Sequence, residues 1–271
     1  GKTPPCANLI IDSGIKNVVI GIIDANIKVS GRGVEYLENN DCNVIVGVLE
    51  NECKELNKRF FTFHTQKRPF IILKWAETAD GFIDKLRDES SENLPNWISN
   101  QYSQQRVHKI RAEEQAILVG TTTAINDNPN LNVRSWNGNN PIRVVLDRTL
   151  KIPKTYNLLD GNVQTIVLTE KLPNESFQKN ILFEEINFSN NVPKQICEVL
   201  FKHEIQSVII EGGVQTLQSF IDKNLWDEAF VFVGDILFEN GLKAPQIKKT
   251  PFKYEKISTD VLKVYINNFK D

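Results

Sequence analysis

Residues 207–216 read SVIIEGGVQT, an apolar run that leads directly into two glycines and then into an amphipathic segment. The run predicts a buried strand over 207–210, and the segment after the glycines predicts a helix over 214–223. A strand that turns at once into a helix is typical of proteins in which helices cover a mostly parallel sheet. This stretch therefore predicts an α/β fold.

Further strands are predicted on both sides of this stretch, from short apolar runs rich in β-branched residues. Because helical or loop segments separate most of them, we expect a mostly parallel sheet, with the last two strands added as an antiparallel pair. A helix with Ser99 as its cap is predicted to end near Glu113. The predicted strands lie at 70–75, 116–119, 142–146, 163–168, 230–233 and 261–266.

Residues 1–68 carry a separate alternation of helix and strand. A polar, basic stretch that ends at Pro69 follows it, so we predict two domains, residues 1–68 and residues 69–271. The predicted elements of the first domain are strands at 18–23 and 44–49 and helices at 34–39 and 50–63, the last with an apolar stripe of Leu56, Phe60 and Phe63.

Composition argues against several classes of partner. The 271 residues are 41% hydrophobic and 24% charged with a net charge of -2, which is ordinary for a globular protein and gives no basic field for nucleic acid. We see no bilayer-spanning run and no secretory signal, so no membrane partner is expected. The four cysteines form no close pair, which favours a cytoplasmic location. The absence of methionine predicts that the numbering begins inside a longer protein.

Two strand-to-helix junctions offer room for a ligand. At Gly212 and Gly213 a phosphate could approach the free N–H groups of the following helix, although a tight turn that needs glycine for its conformation explains the pair as well. The second junction has Gly120 followed by three threonines, a hydroxyl-rich entry for a sugar or phosphate. Helix capping by Thr121 would explain one of the three.

Charged and aromatic side chains lie near the same junctions. Lys74 interrupts an apolar strand, which predicts either a ligand-facing group or an outward-facing one on an edge strand. Glu211 ends a strand where α/β sheets place ligands, or serves only as a helix-entry carboxylate. Arg111 and Arg134 could clamp a phosphate, although solvated arginines are commoner. Trp97 could stack on a planar ring or pack in the core.

An ordered series of short motifs carries a family resemblance. In this order, the motifs resemble the reductase half of the bifunctional riboflavin-biosynthesis deaminase/reductase over essentially all of residues 69–271. Residues 1–6 are similar to the end of that family's zinc-binding motif, and residues 57–60 to its domain junction. The motifs are Lys74-x-Ala76-x-Thr78-x-Asp80-Gly81, Trp97-Ile98-Ser99, Arg111-Ala112, Gly120-Thr121-x-Thr123, Asp127-x-Pro129-x-Leu131-x-Val133-Arg134, Pro141-x-Arg143-x-Val145-x-Asp147 and Glu211-Gly212-Gly213.

The resemblance implies a dihydrofolate-reductase-like fold and an NADPH-dependent reductase. Its substrate would be 5-amino-6-(5-phosphoribosylamino)uracil, whose ribose becomes a ribityl chain. Lys74 would lie beside the reacting ribose and, with Glu211, polarise it and supply a proton. Arg148 stands at a cofactor-adjacent position where we expect a smaller residue. The implied substrate contacts are Arg111, Leu131, Arg134 and Glu211, and the implied cofactor contacts are Ala76, Trp97, Thr123, Asp127, Gly213, Val214, Gln215 and Thr216.

The resemblance also covers a deaminase half, which needs three zinc ligands and a proton-shuttling Glu. Only the last ligand position, Cys6, lies in this chain. We therefore expect zinc and deaminase activity only in a longer parent protein, and a homodimer by family analogy. The alternatives are a related pteridine or pyrimidine reductase, and a non-catalytic binding module.

Overall fold

Two compact units make up the chain, residues 1–68 and residues 69–271. A computed structural model describes residues 5–25, 31–86, 96–174 and 177–267. Within these ranges, no helix has both the length and the apolar character needed to cross a bilayer.

The first unit is a small α/β arrangement. Strands β1 and β2 pair in parallel, and a small core forms around Ala7, Leu37 and Cys42. The predicted alternation of helix and strand is present. The elements are α1 (Cys6–Asp12), β1 (Asn17–Ile20), α2 (Arg32–Glu38), β2 (Asn43–Val46), α3 (Glu50–Leu56) and α4 (Lys58–Gln66).

The single helix predicted over residues 50–63 is wrong, because the chain forms two helices there. The side-chain amide of Asn57 donates a hydrogen bond to the carbonyl of Cys53 at 2.9 Å and ends α3. Leu56 is exposed, so the predicted apolar stripe does not form. The second helix also continues to Gln66, through most of the stretch predicted as a linker.

The second unit is built on a large sheet with helices packed against it. Nine of its described strands form this sheet, in the order β12-β13-β10-β3-β9-β5-β6-β7-β8. The elements are β3 (Phe70–Thr78), β4 (Phe82–Asp84), α5 (Gln101–Glu113), β5 (Ala116–Val119), α6 (Thr121–Asp127), β6 (Ile142–Leu146), a 3₁₀ turn (Asn157–Leu159), β7 (Thr165–Thr169), β8 (Ile181–Glu185), α7 (Val192–Lys202), β9 (Ser207–Ile210), α8 (Val214–Asp222), β10 (Glu228–Gly234), β11 (Leu242–Lys243), β12 (Lys253–Ile257) and β13 (Asp260–Ile266).

The sheet is mostly parallel, as predicted. The strands from β10 to β8 run parallel to their neighbours, whereas β13 pairs antiparallel with both β10 and β12. The predicted antiparallel pair of the last two predicted strands, which are β10 and β13, is therefore confirmed. Strands β8 and β12 were not predicted. They are the two outermost strands, whose partial exposure needs no continuous apolar run.

Both faces of the sheet are buried, which explains the unbroken apolar runs of its strands. Successive residues of β3 alternate between two hydrophobic clusters, with Phe70 and Ile72 in one and Ile71 and Leu73 in the other. Because the central strands are parallel, their carboxyl ends meet at one edge. The residues that follow those strands are brought together there.

The helix on one face of this sheet, α5, begins one residue later than predicted. Ser99 is not its cap. The side-chain oxygen of Asn100 accepts hydrogen bonds from the backbone N–H groups of Tyr102 and Ser103, each at 3.0 Å. The capping side chain is itself held in place, because the Asn100 amide group donates a hydrogen bond to the carbonyl of Ile257 at 2.8 Å.

Candidate active site

Three charged side chains form a largely buried ion cluster at the carboxyl end of β9: Lys74, Arg111 and Glu211. Leu73 and Ile210 are the last residues that pair β3 with β9. Lys74 and Glu211 come directly after them, so they lie side by side. Their charged atoms, Nζ and Oε2, are 3.4 Å apart. The alternative that Lys74 points outward from an edge strand is wrong, since β3 lies between β10 and β9.

Arg111 binds the same carboxylate through two nitrogens on one edge of its guanidinium. Its Nε donates to Oε1 of Glu211 at 2.8 Å, and its terminal NH2 group donates to Oε2 at 2.7 Å. The side chains of Arg111 and Lys74 are each 14% exposed and that of Glu211 is 7% exposed. Two-point hydrogen bonding at this depth fixes the orientation of the carboxylate.

The cluster shifts the pKa values of its members in opposite directions. Burial alone would raise the pKa of Glu211, but the charges of Arg111 and Lys74 overcome it and lower that pKa to about 2. Burial lowers the pKa of Lys74, and the attraction of Glu211 only partly offsets it. Glu211 is therefore ionised throughout the neutral range, and the proton that the cluster can most readily give up is on Lys74.

The loop after α6 is fastened to α5 at two of its residues. Arg111 donates from its NH1 group to the carbonyl of Asn132 at 3.4 Å. The backbone N–H of Arg134 donates to Nδ1 of His108 at 3.3 Å. Arg134 itself is exposed, and among the described residues its guanidinium has no ion pair or hydrogen bond. The backbone of Arg134 is thus fixed to the helix that carries Arg111, while its side chain faces solvent.

His108 is the site residue that the motifs did not reveal. It is buried one helical turn before Arg111 on α5. The three-residue spacing between a histidine and an arginine on a predicted helix was the available signal, because residues three apart share a helix face. That spacing does not show which loop they meet.

The two glycine-bearing junctions pack against each other at the entries of α6 and α8. A methyl group added to Gly120 would lie 2.8 Å from Oγ1 of Thr216, and one added to Gly212 would lie 3.1 Å from Cβ of Thr216. A side chain at Gly120 would therefore force Thr216 to shift, and one at Gly212 would fit only tightly against Thr216. Thr121 does not cap α6, since its hydroxyl donates to the carbonyl of Leu146 at 2.5 Å.

Gly213 differs from its neighbours because packing does not require a glycine there. Its backbone, with φ -61° and ψ 170°, suits any residue, so the turn conformation does not explain it. A methyl group added to it would meet only Oγ1 of Thr123, at the ordinary distance of 3.4 Å. A ligand lying against the backbone at the start of α8 is a reason that remains.

The RibD C-terminal domain family model matches residues 69–258. The chain belongs to this family. A riboflavin biosynthesis protein RibD of Aquifex aeolicus is 39% identical over 251 residues, which are 89% of this chain and 67% of that protein. This chain spans about two thirds of the length of the curated relatives that it matches.

Two solved structures share both units. One is a diaminohydroxyphosphoribosylaminopyrimidine deaminase/5-amino-6-(5-phosphoribosylamino)uracil reductase from Thermotoga maritima, at 37% identity and a TM-score of 0.82 over 97% of this chain and 75% of that one. The other is RibD from Acinetobacter baumannii, at 26% identity and a TM-score of 0.85 over 98% and 77%. The family resemblance drawn from the motifs is confirmed.

The remaining residues expected at the cofactor lie at several depths in this RibD-family domain. Thr123 reaches Gly213, and Thr216 lies in the first turn of α8 beside Val214 and the exposed Gln215. Ala76 is half-buried on β3, and Asp127 ends α6. Trp97 is 66% exposed, so the alternative that it packs in the core is wrong.

Leu131, expected at the substrate, is buried in the core between Asp127 and Arg134. Its φ of 48° is unusual for a residue other than glycine. This conformation places a sharp bend in the loop just before the two residues that α5 fastens.

The outer pair, Arg148 and Glu170, lies at the carboxyl ends of β6 and β7. Both nitrogens of the Arg148 fork donate to the Glu170 carboxylate at 3.0 Å. The pair is largely exposed, so a large arginine is accommodated at the position where we expected a smaller residue.

Cys6, the expected zinc ligand, is an exposed free thiol at the start of α1. Residues 1–4 of the motif remnant lie outside the described residues. Among the residues that are described, no group of three or more His, Cys, Asp or Glu side chains is arranged to hold a metal ion.

Proposed function

We propose that residues 69–271 form an NADPH-dependent reductase that converts the ribose of 5-amino-6-(5-phosphoribosylamino)uracil to a ribityl chain in riboflavin biosynthesis. The observation that carries the proposal is the buried cluster of Lys74, Arg111 and Glu211 beside the glycine entry of α8. Family membership supports it, and the Thermotoga maritima protein is named for this reductase activity.

The start of α8 fits the phosphates of a dinucleotide. The first N–H groups of a helix have no partner within the helix and carry partial positive charge. Gly213 leaves them accessible, and Thr123 adds a hydroxyl beside them. When bound, the cofactor supplies a hydride to the anomeric carbon of the substrate. We assign its contacts to Ala76, Trp97, Thr123, Asp127 and residues 213–216.

The protein's residues would then handle the proton and the charge. The ribose must open so that its anomeric carbon becomes an aldehyde or imine, and a proton must reach the oxygen or nitrogen as the hydride adds. Lys74 is the better donor, because burial has lowered its pKa, whereas Glu211 is ionised. Glu211, held by Arg111, orients the Lys74 ammonium group.

Substrate binding would use the exposed side chain of Arg134, in the loop after α6. Within the described part of the chain, the exposed guanidinium of Arg134 has no ion pair or hydrogen bond, which suits the two-point binding of a phosphate. The nitrogens of Arg111 already contact Glu211 and Asn132, so we assign Arg111 to the ring or ribose side of the substrate. Leu131 supports the loop between them.

A turnover assay with the named substrate and NADPH tests this proposal. Lys74→Ala and Glu211→Gln should each reduce kcat by roughly 100-fold, since positioned proton transfer contributes this much. The matched controls are Lys223→Ala and Glu198→Gln, which change exposed residues and should keep normal turnover. The assignment is wrong if both site variants turn over normally at saturating NADPH, and the function is wrong if the wild type turns over nothing.

We also propose, by family analogy, that the domain acts in the cytoplasm as a homodimer. A longer parent would bind zinc at Cys6 and deaminate the pyrimidine precursor. Size measurement by light scattering tests the dimer, and zinc content of the parent with Cys6→Ser tests the metal site.

A further inference from the structure

His108 connects α5 to residues 132–134 of the loop after α6, the segment called the substrate loop below. Its Nδ1 accepts the backbone N–H of Arg134 at 3.3 Å. The backbone carbonyl of Asn132 accepts the NH1 group of Arg111 at 3.4 Å. The segment 132–134 is therefore held by two residues that lie one turn apart on α5.

The bond to Arg134 requires a neutral imidazole that carries its proton on Nε2. Nδ1 must accept, and a protonated ring has no acceptor. Burial lowers the pKa of His108, and the facing cations Arg111 and Arg134 lower it further, while Glu211 and the Asn132 carbonyl oppose them. The surroundings thus favour the form of the ring that the loop needs.

We propose that His108 is a positioning residue of the substrate site, whose neutral ring holds the backbone of residues 132–134 and so aims Arg134 at the substrate phosphate. The inference rests on the proposed reductase function. His108 touches neither reacting atoms nor cofactor in this assignment. Its loss should weaken substrate binding and leave the chemical step intact.

The alternative is that His108 merely fills the core beneath α5. The two roles differ in one measurable respect. A core filler acts independently of the Arg134 guanidinium, whereas a positioning residue acts through it. A double-mutant cycle between the two side chains separates them, because only residues that work together give non-additive effects.

The cycle uses His108→Phe, which keeps an aromatic ring and loses the Nδ1 acceptor, and Arg134→Ala, which keeps the backbone N–H. His108→Phe should raise the KM for 5-amino-6-(5-phosphoribosylamino)uracil by roughly tenfold, as expected when a backbone N–H loses its acceptor. The kcat and the NADPH dissociation constant should change by less than about twofold, since neither depends on this bond. In the Arg134→Ala background, His108→Phe should have almost no further effect on KM.

His108→Gln serves as the conservative variant, because its amide oxygen can accept a hydrogen bond, as Nδ1 does. It should recover part of the lost affinity. His108→Leu, which has no acceptor, replaces His108→Phe in the cycle if that variant does not fold. His203→Gln is the matched control, since this histidine bonds Glu184 at 2.6 Å and lies beyond the site. Its KM should equal that of the wild type.

Multiplicative KM effects of the two substitutions, or an equal KM for His108→Phe and the wild type, would overturn the inference while leaving the reductase assignment in place. No turnover by the wild type would instead overturn the proposed function and this inference with it.

Discussion

Two arginine–carboxylate pairs lie at the same edge of the large sheet and differ chiefly in burial. Arg111 and Glu211 are joined at 2.7 and 2.8 Å, and Arg148 and Glu170 are joined twice at 3.0 Å. The side chains of the buried cluster are 7–14% exposed, whereas those of the outer pair are 53% and 35% exposed. The geometry is shared, so the environment must set what each pair does.

Burial changes how much each ion pair contributes to stability and how its residues take up protons. In the outer pair, water already solvates both charges, and the contact adds little to stability. In the buried cluster, removal of one partner leaves a charge with too few neighbours to replace water. Lys74 adds a third charge there, which makes protonation of one residue depend on the others.

Removal of the arginine should separate the two pairs by the widest margin. Arg111→Leu leaves Glu211 buried with only Lys74 near it, and should destabilise the fold by about 3 kcal/mol or more. Arg148→Leu should not shift the unfolding midpoint measurably, because its partner stays solvated. Urea unfolding of both variants measures the difference, and similar midpoints would show that burial does not distinguish the pairs.

The second-largest effect should be on the pH dependence of the unfolding free energy, through the carboxylate of Glu211. The pKa of Glu211 is lowered from 4.5 to about 2, so its contribution is present above pH 4.5 and is lost as the pH falls toward 2. A shift of this size corresponds to about 3 kcal/mol at most. The unfolding free energy of the wild type should therefore fall between pH 5 and pH 3 more steeply than that of Glu211→Gln. Glu170→Gln should follow the wild type, and equal slopes for all three proteins would contradict the assignment.

The strands of the fold could be predicted from the sequence more fully than the contacts between the site's side chains. Apolar runs predicted the buried parallel strands, since both faces of the sheet exclude water. The outermost strand β12 was missed because three of its five residues are exposed. Lys74 in an apolar strand signalled a buried partner, but Glu211 lies 137 residues away and only the strand order joins them. The spacing of His108 and Arg111 indicated a shared helix face, but not the loop that folds back onto α5.

The two glycines that follow Glu211 should differ in a smaller effect, because alanine at Gly213 should change NADPH binding and alanine at Gly212 should change stability. Gly213→Ala should weaken NADPH binding by roughly tenfold, because a methyl group would keep phosphate from the N–H groups of α8, while stability should be unchanged. Gly212→Ala should instead cost about 1–3 kcal/mol of stability through overpacking against Thr216. Fluorescence titration with NADPH and urea unfolding distinguish the two variants. Unaltered NADPH affinity in Gly213→Ala would contradict the assignment of the cofactor phosphates to the start of α8.

Salt should give the smallest effect and the cleanest comparison of the two pairs. Screening at 1 M salt acts over about 3 Å and reaches exposed charges far more than buried ones. A double-mutant cycle on Arg148 and Glu170 should therefore show a coupling energy that disappears between 0.05 and about 1 M NaCl. The same cycle on Arg111 and Glu211 should keep most of its coupling, because little solvent reaches the carboxylate. Equal salt sensitivity would mean that water and ions enter the cluster, and the lowered pKa of Lys74, which burial causes, would then lose its basis.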